Sequence, residues 1–163
     1  SDIIFTHLDF TKMAARYSKI MKKPLVHLVH NDKQLSFNNI DSSSAQLAIA
    51  NSEWISKTIK GIDTVIVYPP TEPAYYTVKP EGDAITLLNM NEAKGGKIFW
   101  QLARIFPERK FIGVKGAYGE QIGYDKKLPN VTIVDNGPDV RGIYKKTRIV
   151  LMPSIYELSL IHI

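Results

Sequence analysis

The sequence predicts an α/β fold built from Rossmann-like parallel sheets, and three observations carry that prediction. Short runs rich in Val, Ile and Leu alternate with helical patterns along the chain. Those runs are almost continuously apolar, as expected of strands covered on both faces. The alternation breaks once, at Pro69, Pro70 and Pro73 in TVIVYPPTEPAYY, and then restarts. Such a stretch is too rich in proline for a helix or a central strand. Two α/β units are therefore expected, over 1–68 and 83–157, joined by a hinge over 69–82.

In the first unit DIIFTH, residues 2–7, reads as a short buried strand. Met13, Ala14, Tyr17, Ile20 and Met21 then fall at helical spacing within 10–22. Pro24 opens a second apolar run, PLVHLVH, which ends at Asn31-Asp32. A helix of about three turns between two strands is the usual parallel crossover. The polar segment 33–44 reads as a loop, 46–50 as a third strand, and 53–60 as a helix with Ser52 as its N-cap. TVIVY, 64–68, is the fourth strand. The second unit repeats the scheme with strands at 84–88, 111–116, 131–135 and 148–153 and helices at 94–106 and about 139–145. Ile98, Phe99, Leu102, Ala103 and Phe106 mark the apolar face of the first of these helices.

Composition narrows the function classes. With 44% hydrophobic residues in 163, the chain is ordinary for a globular protein. No stretch approaches the roughly 18 apolar residues of a membrane span, and SDIIFTHLDF lacks the basic start of a secretory signal. The absence of cysteine removes disulfides and thiolate metal sites. A net charge of +5 and a pI near 9.3 suit an anionic partner. The basic residues lie in scattered pairs (Lys22-Lys23, Lys126-Lys127, Lys145-Lys146), with no base-reading helix or aromatic platform. Nucleic acid is accordingly not expected as a partner.

The stretch LNMNEAKGGK, 88–97, is the most informative. A strand runs into a polar turn ending in Lys94-Gly95-Gly96, and a helical pattern follows at once. Glycines allow a ligand to approach the backbone, and a helix start with an adjacent lysine favours an anion. A plain strand-to-helix turn needing glycine for its geometry is an equally good reading of this segment alone. His27 shares parity with Leu25 and Val29 and is expected to face the core or a helix. A zinc site from His7, His27 and His30 is not expected, because residues 27 and 30 lie on opposite strand faces.

Taken in order, VYPP, NMNEAKGG, LARIFPERKFIGVKG and VLMPSIYE resemble the second half of a GT-B fold retaining glycosyltransferase of family 4 (glycosyl transferases group 1). The resemblance covers about 60–153 well, and 1–60 less specifically as the end of a first, acceptor-side Rossmann-like domain. It implies a donor-side domain holding a UDP- or GDP-sugar, transfer to an acceptor hydroxyl on a saccharide, lipid-linked or small molecule, and neither metal nor cofactor. Lys94 then looks like the lysine that grips the donor diphosphate, with the Gly95 and Gly96 amides beside it. Asn89 stands where the family usually has arginine. Glu157 looks like the first of two glutamates eight positions apart; the second would fall beyond Ile163, so the resemblance implies a truncated chain, inactive alone, with 158–163 a non-native tail. His30 resembles the cleft histidine near the reacting sugar, and His7 holds a similar strand-end position. Gly116 would shape the nucleotide pocket floor, with Val134, Asp135 and Asp139 near the base. Asp139 is equally well a helix N-cap. A cytoplasmic location follows, and basic charge in such enzymes often assists peripheral contact with anionic membranes, although the sequence shows no patch for it. The alternative is a non-catalytic nucleotide-binding module of the same fold.

Overall fold

The computed structural model describes residues 2–31, 45–117, 119–123 and 128–155. The chain is α/β with two four-stranded parallel sheets, consistent with a Rossmann-like fold, and it divides into two compact units between Thr71 and Glu72. Among the described residues no helix is long and apolar enough to cross a membrane.

The first unit comprises β1 (Ile4–His7), α1 (Thr11–Met21), β2 (Leu25–Val29), β3 (Ala45–Ala50), α2 (Glu53–Thr58) and β4 (Thr64–Ile66). Its strands lie in the order β1-β2-β3-β4. A 3-10 turn at Leu8–Phe10 leads into α1, which stops where Lys22 turns left-handed at φ 51. The Lys23 amide donates back to the Ser18 carbonyl at 3.1 Å, and Pro24 then prevents continuation. Ser52 caps α2 by accepting from the Ile55 amide at 3.3 Å. The core is small: Val29, Ala48, Ala50, Ile55 and Ile59 form one cluster, and Ala15, Leu25 and Ala45 another. The helix at 11–21 matches the apolar spacing, yet the side it buries is Thr11, Ala15 and Ser18. Met13, Tyr17, Ile20 and Met21 face outward, because only small side chains let α1 lie close on β1 and β2.

The second unit comprises β5 (Ala84–Leu88), α3 (Gly96–Ile105), β6 (Phe111–Val114), β7 (Val131–Val134), α4 (Arg141–Lys146) and β8 (Thr147–Leu151), in the order β7-β6-β5-β8. The chain leaves β5, builds outward through β6 and β7, and returns to the other side of β5. Direction reverses there, between β5 and β8, and the carboxyl ends of strands at such a reversal are where open parallel sheets commonly take ligands. Leu87, Met90, Phe99, Trp100, Ala103 and Phe111 form one core. Phe99 meets both Trp100 and Phe111 edge to face, with ring centres 5.7 and 5.6 Å apart. The buried Trp100 Nε1 donates to the Ile122 carbonyl at 2.7 Å. Asn130 Nδ2 donates to the carbonyls of Ala103, Phe106 and Arg109 at 2.9–3.2 Å, closing the carboxyl end of α3. Thr86 and Thr147 share a buried hydroxyl hydrogen bond of 2.7 Å between β5 and β8.

Helix α3 begins two residues later than the pattern at 94–106 suggests. Gly95 sits at φ +92, a left-handed conformation that no α-helix contains.

Candidate functional site

Two asparagine side chains help to organise the turn after β5. Asn89 ends the strand at φ 73, one of three non-glycine residues with positive φ among the described residues. Asparagine tolerates that region because its short side chain bonds locally. Its Oδ1 accepts from the Asn91 amide at 3.2 Å. The nearly buried Asn91 then accepts twice: its Oδ1 from the Lys94 amide at 2.8 Å, its carbonyl from the Gly96 amide at 2.9 Å. The Gly95 amide donates to the Glu92 carbonyl at 2.9 Å. The three amides that the sequence offers to an anion therefore already have partners within the turn. Lys94 itself is half-buried at the rim of the β5 end.

The glycines answer to close packing. A Cβ on Gly95 would lie 2.3 Å from Pro153 Cγ, so the turn after β5 presses on the segment after β8. The Ile155 amide donates to the Ala93 carbonyl at 2.9 Å and completes that contact. A Cβ on Gly96 would meet the Met90 carbonyl at 2.2 Å, and one on Gly116 the Asn89 carboxamide at 2.2 Å.

Sequence reasoning missed Gln121. Its Oε1 accepts from the amides of Met90 at 3.0 Å and Gly116 at 2.8 Å, while Nε2 donates to Asn89 Oδ1 at 3.3 Å and the Gly119 carbonyl at 2.9 Å. One amide side chain thus ties the end of β5 to the end of β6. A lone glutamine in a glycine-rich loop gives no sequence signal of that kind. Beneath it a cleft of about 700 Å³ has an apolar floor of Met90, Trp100, Val131 and Ile133 and a polar rim of Lys115 and Gln121.

The structure brings Asn89, Lys94, Gly95, Gly96 and Gly116 together at one strand end. Val134 lines a separate cleft of about 680 Å³ with Thr132, Asp139 and Ile143. Asp135 is exposed and pairs with Lys115 at 2.7 Å. Asp139 accepts from the Arg141 amide at 3.0 Å and pairs with its guanidinium, which holds the carboxyl down at about 2. Glu157 and the segment 158–163 lie outside the described residues, as do the whole loop at 33–44 and Tyr118.

In the first unit His30 is exposed at the end of β2, its ring edge-on to His7 with centres 5.5 Å apart. Its pKa is lowered by partial burial and then by the neighbouring His7. His27 is fully buried, with Nε2 3.3 Å from Thr11 Oγ1 of α1. Burial above all, then His30 and His7, lower its pKa from 6.5 to about 4. Its Nδ1 and the Oγ1 of Thr6, the residue beside it in the β1–β2 register, are buried without partners. Among the described residues no three His, Asp or Glu side chains are placed to hold a metal ion.

No protein-family model matches the chain, and no curated protein matches it at a significant level.

Proposed function

We propose that the second unit binds a nucleoside-diphosphate sugar at the carboxyl ends of β5 and β8, and that the chain is part of a retaining glycosyltransferase of the GT-B kind. The observation that supports this reading is the reversal of strand order at β5, since the Lys94 turn follows the strand end at which parallel α/β sheets commonly take ligands. Lys94 would sit against the diphosphate. As the bond from the anomeric carbon to the phosphate oxygen breaks, its electron pair stays on the leaving diphosphate, and a fixed cation stabilises that growing charge more than the ground state. The acceptor hydroxyl oxygen forms the new bond to the anomeric carbon, and its proton passes to the departing diphosphate oxygen, whose basicity rises as the bond to carbon breaks. The cleft floored by Met90 and Trp100 offers a flat apolar group a seat beside the turn.

A second reading, a nucleotide-binding module without transfer activity, is favoured by one specific finding. The amides of Lys94, Gly95 and Gly96 already have acceptors, and Asn89 brings no charge, so less positive potential faces a leaving group than a helix start with free amides would supply.

NMR titration with UDP and GDP, beside Lys94→Ala, tests the site. The expected result is chemical-shift changes confined to 89–96, 116 and 119 that vanish in the variant. A folded protein unmoved by saturating nucleotide would overturn the site. Sugar transfer or donor hydrolysis by the full-length protein separates the two readings, and its absence beside intact nucleotide binding would favour the second.

A further inference from the structure

Where the ends of β5 and β6 come together, the carboxamide of Gln121 uses both of its ends. Its Oε1 accepts from two backbone amides, those of Met90 and Gly116, and this settles which end is oxygen. Its Nε2 therefore donates, to the Gly119 carbonyl at 2.9 Å and to Asn89 Oδ1 at 3.3 Å. Asn89 is settled in the same way. Its Oδ1 takes the Asn91 amide at 3.2 Å as well as Gln121, so both lone pairs are engaged and Nδ2 lies on the other side of the carboxamide. Turning the group over would set its nitrogen against the Asn91 amide and Gln121 Nε2, donor against donor. The carboxamide rests in the space that a side chain at 116 would fill, with Oδ1 2.2 Å and Nδ2 2.6 Å from the position of a Cβ there. Asn89 is only half-buried, and among the described residues no group accepts from its Nδ2.

We propose that Gln121 is a positioning residue for ligand binding at the carboxyl end of β5. It holds the Asn89 carboxamide with Nδ2 outward, so that this strand end presents a fixed donor and takes a ligand through an acceptor oxygen. The inference rests on the reading of the second unit as a nucleoside-diphosphate site, and it assigns Asn89 Nδ2 to an oxygen of that ligand. An asparagine free to turn over would meet a hydroxyl or ammonium group with its oxygen as readily as it meets an acceptor with its nitrogen. Locked by Gln121 it takes acceptors alone, and its carboxamide has little freedom left to lose on binding. Bracing the strand ends would need only Oε1 on the Met90 and Gly116 amides. The donation to Asn89 is what carries the effect of Gln121 to the ligand.

The test is NMR titration of the whole chain with UDP and with GDP. In the unsubstituted chain the side-chain Nδ2 resonances of Asn89 are expected to shift together with the 94–96 amides. Gln121→Glu is nearly isosteric: it keeps an acceptor for the Met90 and Gly116 amides and loses both donations, and circular dichroism checks its fold. Its negative charge would by itself weaken an anion's binding, so it is paired with Asn89→Ala in a double-mutant cycle. The loss of affinity from Gln121→Glu is expected to be at least about threefold larger with Asn89 present than in the Asn89→Ala background, where only the charge acts. Equal losses in the two backgrounds would overturn the positioning role and leave the nucleotide site standing. So would Asn89 side-chain resonances that stay still while the 94–96 amides shift. A folded chain in which neither nucleotide moves any resonance would overturn the site itself, and the proposal with it.

Discussion

The two units share a strand count and a parallel ladder, yet they are filled by opposite means. The second is held by large side chains around one centre, with Phe99 touching Trp100 and Phe111. The first is filled by smaller aliphatic side chains with no aromatic ring in its clusters, four alanines beside Leu25, Val29, Ile55 and Ile59. It buries a neutral histidine and a threonine beside one another, each lacking a partner for one atom. A common backbone plan therefore does not imply common stability. Apolar area removed from water scales with side-chain size, and unsatisfied buried polar atoms subtract from it.

The strongest way to break this comparison is Phe99→Ala. Removing the central ring is expected to destabilise the second unit by about 3–5 kcal/mol and leave the first nearly unchanged. Each unit holds one tryptophan, Trp54 or Trp100, so denaturant unfolding in Trp54→Phe and Trp100→Phe backgrounds reads the units separately. Equal losses in both signals would show that the units do not unfold independently.

Acid should sharpen the contrast next. The unfolded chain protonates His27 near 6.5, whereas the folded unit resists until about 4. Between those values the unfolded state holds more protons, so stability present above pH 6.5 is lost as pH falls toward 4. The loss is up to about 3 kcal/mol and confined to the first unit. In His27→Gln the Trp54 signal should lose most of this pH dependence; an unchanged dependence would assign it to other groups.

A smaller effect, about 1–3 kcal/mol, is expected for Gln121→Ala, which leaves the Met90 and Gly116 amides without their acceptor. Hydrogen exchange at those two amides should quicken, with no change in the first unit. Unaltered exchange would mean that water or a neighbour replaces the glutamine.

The strands were legible because their apolar runs are nearly unbroken, and Ser52 and Pro24 marked turns by chemistry that acts locally. What the sequence could not show was orientation and partnership. The spacing of Met13, Tyr17 and Ile20 reports a helix but not which side meets the sheet, since small residues were selected there for close approach. The cluster around Lys94 was visible as a turn. Its internal wiring was not, because Asn91 closes the turn by hydrogen bonds that many other side chains would leave open, and Gln121 acts from about thirty residues away. Val134 and Asp135 illustrate the same limit: adjacent in the sequence, they serve a cleft and a surface ion pair.

The packing of Gly95 on Pro153 also has a kinetic meaning. Strand β8 is the last of its sheet in the chain, yet it pairs with the first, across 61 residues between Thr86 and Thr147. Closing so long a loop is slow relative to local pairing. During synthesis β5, α3 and β6 can associate early, while the Lys94 turn waits without its backstop until the segment after β8 has left the ribosome. The contact between the turn after β5 and the segment after β8 is thus among the last features of its unit to form, and a ribosome paused before Pro153 would carry a sheet in which that contact is not yet made.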